Sequence, residues 1–351
     1  MSLPDLLVSI GAHLGMPGED TLGLPDAPSY VLLVADGLGW NQLEQYPVAD
    51  ILRGPKLRVG LPSTTATSLT SLGTGLAPGR HGVAGYSFRF NGELLPVLRW
   101  PRRLSGVDVQ PQLTYLERMA AAGVHVAKVM PASFEKSGLT TAALRGGEFW
   151  GLPDEAAPAR IAALAAAAVS QRSFTYVYDR EPDHAGHAHG VGSAQWIAGV
   201  IRIAELVRLL RRDLPPQTVL VVTGDHGMVN VPKSHHINFE DHPELAEQVV
   251  LLGGEARFRQ VYTSEPEAVA ARWREVLGER ALVVTREQAM AERWFGTVEP
   301  RNADRFGDVL AAALDDWAIM TKAFPKEHFL VGMHGSVTDA EREVPLLVLP
   351  G

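Results

Sequence analysis

The hydrophobic positions of the chain follow two patterns, short continuous apolar runs and longer stretches with an apolar residue every three or four positions. Continuous runs of about four to eight apolar residues predict strands covered on both faces. Because helical patterns separate these runs, the order predicts βαβ units and a mostly parallel sheet. The clearest strands are predicted at 30–35, 124–130, 174–178 and 218–223, with a last one at 345–349.

The best-defined helix is predicted between 193 and 214. Apolar residues recur there at helical spacing from Trp196 to Leu214, while arginines occupy the other face, as on a solvated helix surface. A second helix is predicted at 112–122, where Gly123 would cap its C-terminus. An alanine-rich helix is predicted near 162–169.

Residues 258–324 have a different pattern of predicted elements from the rest of the chain. A strand is predicted at 258–263. A helix is expected after it, opened by a capping box of Ser264 and Glu267, and Thr285 with Gln288 would open another. A third helix is expected at 306–319. We predict a small α+β insertion over 251–325, between the parts of a catalytic core at 1–250 and 326–351.

Composition excludes several classes of function. The 351 residues are 46% hydrophobic and 21% charged, which is typical of a folded enzyme. The net charge of -8 and the lack of a basic run argue against a nucleic acid polymer as partner. The chain has no cysteine, so it has no disulfide, thiolate metal site or cysteine nucleophile. Without a signal-peptide pattern or an apolar stretch long enough for a membrane helix, the expected location is the cytoplasm, with no membrane partner.

Aspartate and histidine follow four of the predicted strands, the fourth at 329–331. Ligands of open α/β sheets bind at the carboxyl ends of strands, so these residues are candidates for one site. Mixed aspartate and histidine without sulfur suits Zn²⁺, while Mn²⁺ or Fe would also fit. A single Asp-His pair could be an ordinary loop, but aspartate or histidine at four strand ends argues for a site. The motifs are Asp36-Gly37, EPDHAGH at 181–187, GDHGM at 224–228 and GMHG at 332–335.

A cluster of hydroxyl residues, PSTTATS at 62–68, supplies the candidate nucleophile. The cluster lies at a predicted helix N-terminus, where free amides and the helix dipole favour a phosphate oxygen. The alternative interpretation is a helix cap, which needs only one of these hydroxyls. A free threonine hydroxyl is a weak nucleophile, so metal coordination would have to activate it.

The five motifs, in this order across roughly 30–349, resemble the nucleotide pyrophosphatase/phosphodiesterase branch of the alkaline phosphatase superfamily. The resemblance implies a three-layer α/β/α sandwich with a mostly parallel central sheet. It also implies two divalent cations, Zn²⁺ in the first place and Mn²⁺ as the alternative. Asp183, His187 and His334 match the ligands of one ion. Asp36, Asp225 and His226 match those of the other, with Thr65 as both ligand and nucleophile.

The resemblance further implies hydrolysis of phosphodiester or pyrophosphate bonds in small, nucleotide-like substrates through a covalent phospho-threonine. Thr64 is the rival of Thr65, which occupies the family's nucleophile position. Where eukaryotic members have Phe-Pro-Asn after the nucleophile, this chain has Ala66-Thr67-Ser68. We therefore expect Ser68, or the backbone amide of Ala66, to bind a phosphoryl oxygen in place of that asparagine.

Alternatives within the superfamily are a phosphomonoesterase or phosphonate hydrolase and, with less support, a phosphosugar mutase. The chain lacks the motif that a sulfatase requires, which argues against that activity. The intact Thr65 argues against a non-catalytic metal-binding module. The sequence contains no indication of oligomeric state. His184 and His189 flank the ligand segment and are alternative ligand candidates, although Asp183 and His187 hold the family spacing. Further residues could face the substrate or form a pocket wall, although loop structure or core packing is the first interpretation for them: His235, His236, Tyr86, Arg99, Trp100, Arg102 and Arg103.

Overall fold

The computed structural model describes residues 1–101, 103–152, 158–167 and 172–351. Arg102 and the last part of the helix predicted to reach 169 lie outside the described residues. Within them, no helix combines the length and apolar character needed to cross a membrane.

Seven strands of the described residues form the central sheet. The five predicted strands all belong to it. The four earlier ones pair in parallel, and the last runs antiparallel to Thr218–Thr223. In spatial order the strands are Lys56–Arg58, Glu343–Leu349, Thr218–Thr223, Ser29–Ala35, Ser173–Asp179, His125–Pro131 and Glu148–Leu152.

Alternate residues of Ser29–Ala35 enter two separate hydrophobic cores, which gives the molecule its three layers. Tyr30, Leu32 and Val34 pack in the core that also contains residues of the first helix and the helix after the candidate nucleophile. Val31 and Leu33 pack in the opposite core, against the long helix Ala194–Asp213. The strand is therefore apolar throughout because both of its faces are covered.

The long helix predicted at 193–214 is present, with Ser193 capping its N-terminus. The helix predicted at 112–122 is shorter and is opened by a capping box of Thr114 and Glu117. The α-helices of the described residues are Asp5–His13, Trp40–Gln45, Thr65–Thr74, Pro78–His81, Gly106–Val109, Tyr115–Ala121, Gly138–Ala143, Pro158–Ala167, Glu181–His189, Ala194–Asp213, Pro243–Ala246, Pro266–Leu277, Arg286–Ala291 and Asp339–Arg342.

A second sheet occupies the segment predicted as an insertion. One of its faces packs on the helix Pro266–Leu277 through Trp273, and the other shares a core with Leu61, Ala66 and Phe88. The boundaries at 251 and 325 stay a prediction. The four antiparallel strands of this sheet, in spatial order, are Leu251–Glu255, Phe258–Tyr262, Val309–Ala313 and Ala281–Thr285.

Two predictions for this segment are wrong. The helix expected at 306–319 is instead the central strand Val309–Ala313 followed by Ala318–Met320, because burial on both faces overrides the helical preference of alanine. The capping box of Ser264 and Glu267 is absent, since Pro266 at the first turn starts the helix later, after Glu265. The capping box of Thr285 and Gln288 is confirmed.

Three short ribbons complete the strands of the described residues. They pair Ser87–Phe90 with Glu93–Pro96, Val229–Asn230 with Gly332–Met333, and His236–Asn238 with Ala318–Met320. The strand predicted at 329–331 is therefore wrong by a few residues, because Phe329 ends a 3₁₀ turn and is 82% exposed. His334 nevertheless follows a strand directly.

Candidate active site

The strand register brings Asp36 and Asp225 together at the carboxyl edge of the central sheet. Ser29–Ala35 pairs with Thr218–Thr223, so the residues that follow the two strands are neighbours. The amide of Gly37 donates a hydrogen bond to Asp225 Oδ1 at 3.1 Å, and the amide of Asp183 donates one to the Asp36 carbonyl at 3.0 Å. Three aspartates from different motifs thus converge through backbone contacts.

Glycine is required beside this convergence. Gly37 has φ +71°, and a Cβ at this position would lie 2.8 Å from Asp183 Cα. Any larger residue would push the backbone of Asp183 away and would strain its own. The glycine after Asp36 therefore permits the close packing of the two aspartate segments.

Three histidines present the same ring nitrogen to this cluster. His187 Nδ1 lies 2.7 Å from the Gly332 carbonyl, His226 Nδ1 lies 2.9 Å from the Gly227 carbonyl, and His334 Nδ1 lies 3.0 Å from the Ser63 carbonyl. A carbonyl only accepts, so Nδ1 carries the proton in each ring and Nε2 is directed at the carboxylates. This orientation is typical of metal-ligating histidine.

The six side chains form two adjoining groups of ligand atoms. Asp36, Asp225 and His226 place ligand atoms within 4.8 Å of one another, and Asp183, His226 and His334 do the same. His187 Nε2 lies 3.2 Å from Asp183 Oδ1, because the two residues are one turn apart on Glu181–His189. The structure brings together all six residues that the sequence singled out as candidate ligands, although their roles stay a prediction.

The three carboxylates of this cluster have too little positive charge nearby to neutralise them. Burial, together with the charge of Asp36, raises the pKa of Asp225 to about 7 and raises the pKa of Asp183 well above its usual value. Within the described part of the chain, Asp183 Oδ1 and Asp225 Oδ2 are buried without a hydrogen-bond partner. Such unpaired buried oxygens are costly unless a cation neutralises them.

The histidines differ in charge. Burial lowers the pKa of His334 well below its usual value, and it also lowers the pKa of His187, so both rings are neutral and can bind a cation. Burial also acts to lower the pKa of His226, but Asp225 and Asp36 outweigh it and raise that pKa to about 10. The proton on His226 supplies part of the missing positive charge and would leave if a metal ion bound.

Thr65 lies beside this cluster as the first residue of the helix Thr65–Thr74. Its Oγ1 is 3.1 Å from His226 Nε2 and 3.4 Å from Asp36 Oδ1. The first amides of a helix have no partner within the helix and attract anions. Thr65 therefore combines a hydroxyl next to the candidate ligands with a helix end suited to a phosphate oxygen.

A cavity of about 1100 Å³ opens over Thr65. Its wall contains Asp36, Asp183, His187 and His334, and it extends over aromatic and aliphatic residues that include Trp100 and Phe134. A cavity of this size has room for a substrate far larger than phosphate.

The family model for type I phosphodiesterase / nucleotide pyrophosphatase matches residues 30–337. The chain belongs to this family. As a member, the protein is a hydrolase of the phosphodiesterase/nucleotide pyrophosphatase type and comes from a metal-dependent family. No curated protein matches the sequence.

Solved structures of this family share the fold. An inactive variant of murine ectonucleotide pyrophosphatase/phosphodiesterase 5 in complex with AMP is 17% identical, with a TM-score of 0.72. A second structure of the murine protein is 18% identical with a TM-score of 0.69. The human protein is 17% identical with a TM-score of 0.70. Each alignment covers 91% of this chain and 87% of the other. The alkaline-phosphatase-like fold expected from the sequence is thereby confirmed.

Other predicted positions of this hydrolase lie away from the cavity. Among the described residues, neither Ala66 nor Ser68 belongs to the cavity wall, and both side chains are fully buried. The amide of Ser68 donates to the Thr64 carbonyl, while its hydroxyl is buried without a hydrogen-bond partner among the described residues. The phosphoryl-binding roles expected for Ser68 and for the amide of Ala66 therefore stay predictions.

Some of the further candidate residues line the cavity, and others lie at the protein surface. His184, Arg99 and Trp100 line the cavity. His235 instead contacts Asp316 at 2.6 Å and stacks on Trp317, in keeping with a role in loop structure. Arg103 pairs with Glu93 at the surface.

Tyr178 and Glu255 lie near the nucleophile without a functional prediction, and Tyr86 was named only as a possible residue of the pocket wall. The hydroxyl of Tyr178 donates to Asp36 Oδ2, the hydroxyl of Tyr86 contacts Thr65, and Glu255 lies buried in the cavity wall. Tyr178 could have been noticed, because it occupies the end of a predicted strand. The contacts of Tyr86 and Glu255 depend on tertiary structure and have no local sequence signal.

Proposed function

We propose that this family member is a metal-dependent phosphohydrolase that cleaves phosphodiester or pyrophosphate bonds of small nucleotide substrates through a covalent phospho-threonine at Thr65. The observation that carries the proposal is the convergence of six aspartate and histidine side chains beside the Thr65 hydroxyl. Cytoplasmic location stays a separate prediction.

The donor set fits two divalent cations. Asp183, His187 and His334 would hold one ion, and Asp36, Asp225 and His226 would hold the other, with Thr65 close to the second group. Carboxylate and imidazole ligands without sulfur favour Zn²⁺, while Mn²⁺ would also be accepted. The two unpaired buried carboxylate oxygens support cation binding independently of the family. When bound, such ions supply positive charge for the reacting phosphate and make a hydroxyl more acidic.

The protein itself contributes the position of the nucleophile. Thr65 is only 6% exposed, and its helix directs backbone amides at the place where phosphoryl oxygens would lie. In the first step the Thr65 hydroxyl loses its proton and its oxygen bonds to phosphorus, while the bond to the leaving group breaks with its electron pair on that group. In the second step water bonds to phosphorus, and the Thr65 oxygen leaves with the bonding electron pair and regains a proton.

The extent of the cavity favours a substrate with two groups on phosphorus over a phosphomonoester. Its aromatic residues Trp100, Phe134 and Phe324 could contact a nucleobase. The murine relative was solved in complex with AMP, which supports a nucleotide for this chain as well.

The test is a panel of three p-nitrophenyl substrates: bis(p-nitrophenyl) phosphate, thymidine 5′-monophosphate p-nitrophenyl ester and p-nitrophenyl phosphate. Each is assayed with Zn²⁺ or Mn²⁺ and the wild-type protein, Thr65→Ala and Thr64→Val. We expect the nucleotide diester to react fastest. Thr65→Ala should lose at least ~10³-fold in kcat, since removal of a nucleophile has effects of this size or larger.

Thr64→Val is the matched control, because it removes the neighbouring hydroxyl at constant shape. Thr64 has extended backbone angles that valine also adopts. Retained activity in Thr64→Val with loss in Thr65→Ala supports the assignment. The reverse result would transfer the nucleophile to Thr64, and faster cleavage of the monoester would overturn the diesterase proposal.

A further inference from the structure

The hydroxyl of Tyr86 touches the candidate nucleophile. Tyr86 Oη lies 2.8 Å from Thr65 Oγ1, which is shorter than the distances from Oγ1 to Asp36 or His226. A threonine hydroxyl has one proton and two acceptor positions. If Thr65 directs its proton to the Asp36 carboxylate, its oxygen accepts the proton of Tyr86. In that arrangement Tyr86 is the hydrogen-bond donor to the atom that reacts.

The backbone of Tyr86 is held from the second sheet. Its amide donates to Glu255 Oε2 at 3.3 Å, and the side-chain amide of Gln260 donates to the Ala84 carbonyl. On the other side, the amide of Val97 donates to the Tyr86 carbonyl at 2.8 Å. Residues from three separate segments thus determine where the Tyr86 backbone lies.

The ring of Tyr86 is also fixed. It packs edge-on against the imidazole of His334, with ring centroids 5.8 Å apart at an angle of 66°. A preorganised donor of this kind needs no rearrangement when charge develops at its acceptor. The position of Tyr86 is therefore suited to the stabilisation of a negative Thr65 oxygen.

We propose that Tyr86 is a catalytic residue whose hydroxyl stabilises the Thr65 oxygen as the leaving group when the covalent intermediate is hydrolysed. This inference rests on the proposed function. Water forms the new bond to phosphorus, and the bond between phosphorus and Thr65 Oγ1 breaks with its electron pair on the threonine. A proton from the attacking water ends on Thr65, while Tyr86 donates a hydrogen bond throughout and keeps its own proton.

The two chemical steps depend differently on this hydrogen bond. In a loose phosphoryl-transfer transition state, bonding to the leaving group is largely broken, so the leaving oxygen bears much of the charge. Thr65 is the nucleophile in the first step and the leaving group in the second. Loss of the Tyr86 hydroxyl is therefore expected to slow the second step more than the first, by about 10²-fold, as for removal of one donor to a developing oxyanion.

The experiment follows p-nitrophenol release in the stopped flow, with thymidine 5′-monophosphate p-nitrophenyl ester as substrate. Wild type, Tyr86→Phe and the control Tyr30→Phe are compared, and the unfolding temperature of each is measured. Tyr30 makes the same kind of hydrogen bond, to the Pro25 carbonyl, in the core. Tyr86→Phe should give a burst of about one product per enzyme, followed by steady turnover about 10²-fold slower than wild type.

A second readout identifies the intermediate. Acid quenching during turnover, followed by mass spectrometry, should show the nucleotidyl adduct on Thr65 accumulating in Tyr86→Phe but not in Tyr30→Phe. Equal losses in the burst and steady-state rates, or unchanged turnover in a folded Tyr86→Phe protein, would overturn the role of Tyr86. An inactive wild type, or an active Thr65→Ala protein, would instead overturn the proposed function on which this inference rests.

Discussion

Acid is expected to destabilise the protein through His81, which is fully buried behind the nucleophile helix. The amide of Val83 donates to His81 Nδ1 at 3.1 Å, so Nδ1 is unprotonated. Nε2 therefore carries the proton and donates to Ser71 Oγ at 2.9 Å, on the helix that begins with Thr65. Burial, with a contribution from the nearby charge of Arg305, lowers the pKa of His81 to about 3.

The direction of this pH effect on stability follows from proton linkage. The unfolded chain binds the His81 proton near the ordinary histidine pKa of 6.5, whereas the folded protein binds it only near 3. The stability associated with neutral His81 is therefore complete above pH 6.5 and is lost as the pH falls toward 3. Between pH 7 and pH 5 this one residue should remove about 2 kcal/mol of the free energy of unfolding.

The assay is urea denaturation of wild type and His81→Gln at pH 7 and pH 5. Glutamine does not titrate. The free energy of unfolding of His81→Gln should therefore fall by about 2 kcal/mol less between pH 7 and pH 5 than that of wild type. The carboxylates of the active site affect both proteins alike and cancel in the comparison. An equal fall in the two proteins would refute the assignment of a neutral, buried His81.

Three further changes test other parts of the structure. Gly37→Ala should lower kcat more than tenfold in a protein that still folds, because the added Cβ would displace Asp183. An unchanged kcat would contradict the close contact between Gly37 and Asp183. Arg257→Met should lower the free energy of unfolding by about 3–5 kcal/mol, because it leaves the buried Glu341 carboxylate unpaired. Adding Glu341→Leu should recover much of that loss in urea titrations. Removal of metal with a chelator should abolish phosphodiesterase activity and lower the unfolding temperature, and Zn²⁺ or Mn²⁺ should restore both; unchanged activity after verified metal removal would exclude the metal requirement.

The strands of the central sheet could be predicted because their apolar character is local and continuous. Asp36 and Asp225 could then be placed at one edge, since parallel strands end on the same side of a sheet. The long helix was equally accessible, because its buried face repeats at helical spacing. Burial on two faces explains why Val309–Ala313 was misassigned: an alanine-rich strand in the centre of a sheet has no alternation to distinguish it from a helix.

By itself, the sequence determined the family, the positions of five core strands along the chain and the residues that could bind metal, since each of these has a local signature. Tertiary structure alone decided the partners of the nucleophile. Tyr86 reaches Thr65 because Glu255 and Gln260, more than 160 positions further along the chain, hold the adjacent backbone. The orientation of His334 likewise depends on the Ser63 carbonyl, 271 positions earlier. Hydrogen bonds between such distant segments form only when the sheets pack together, and no local pattern of residues encodes them.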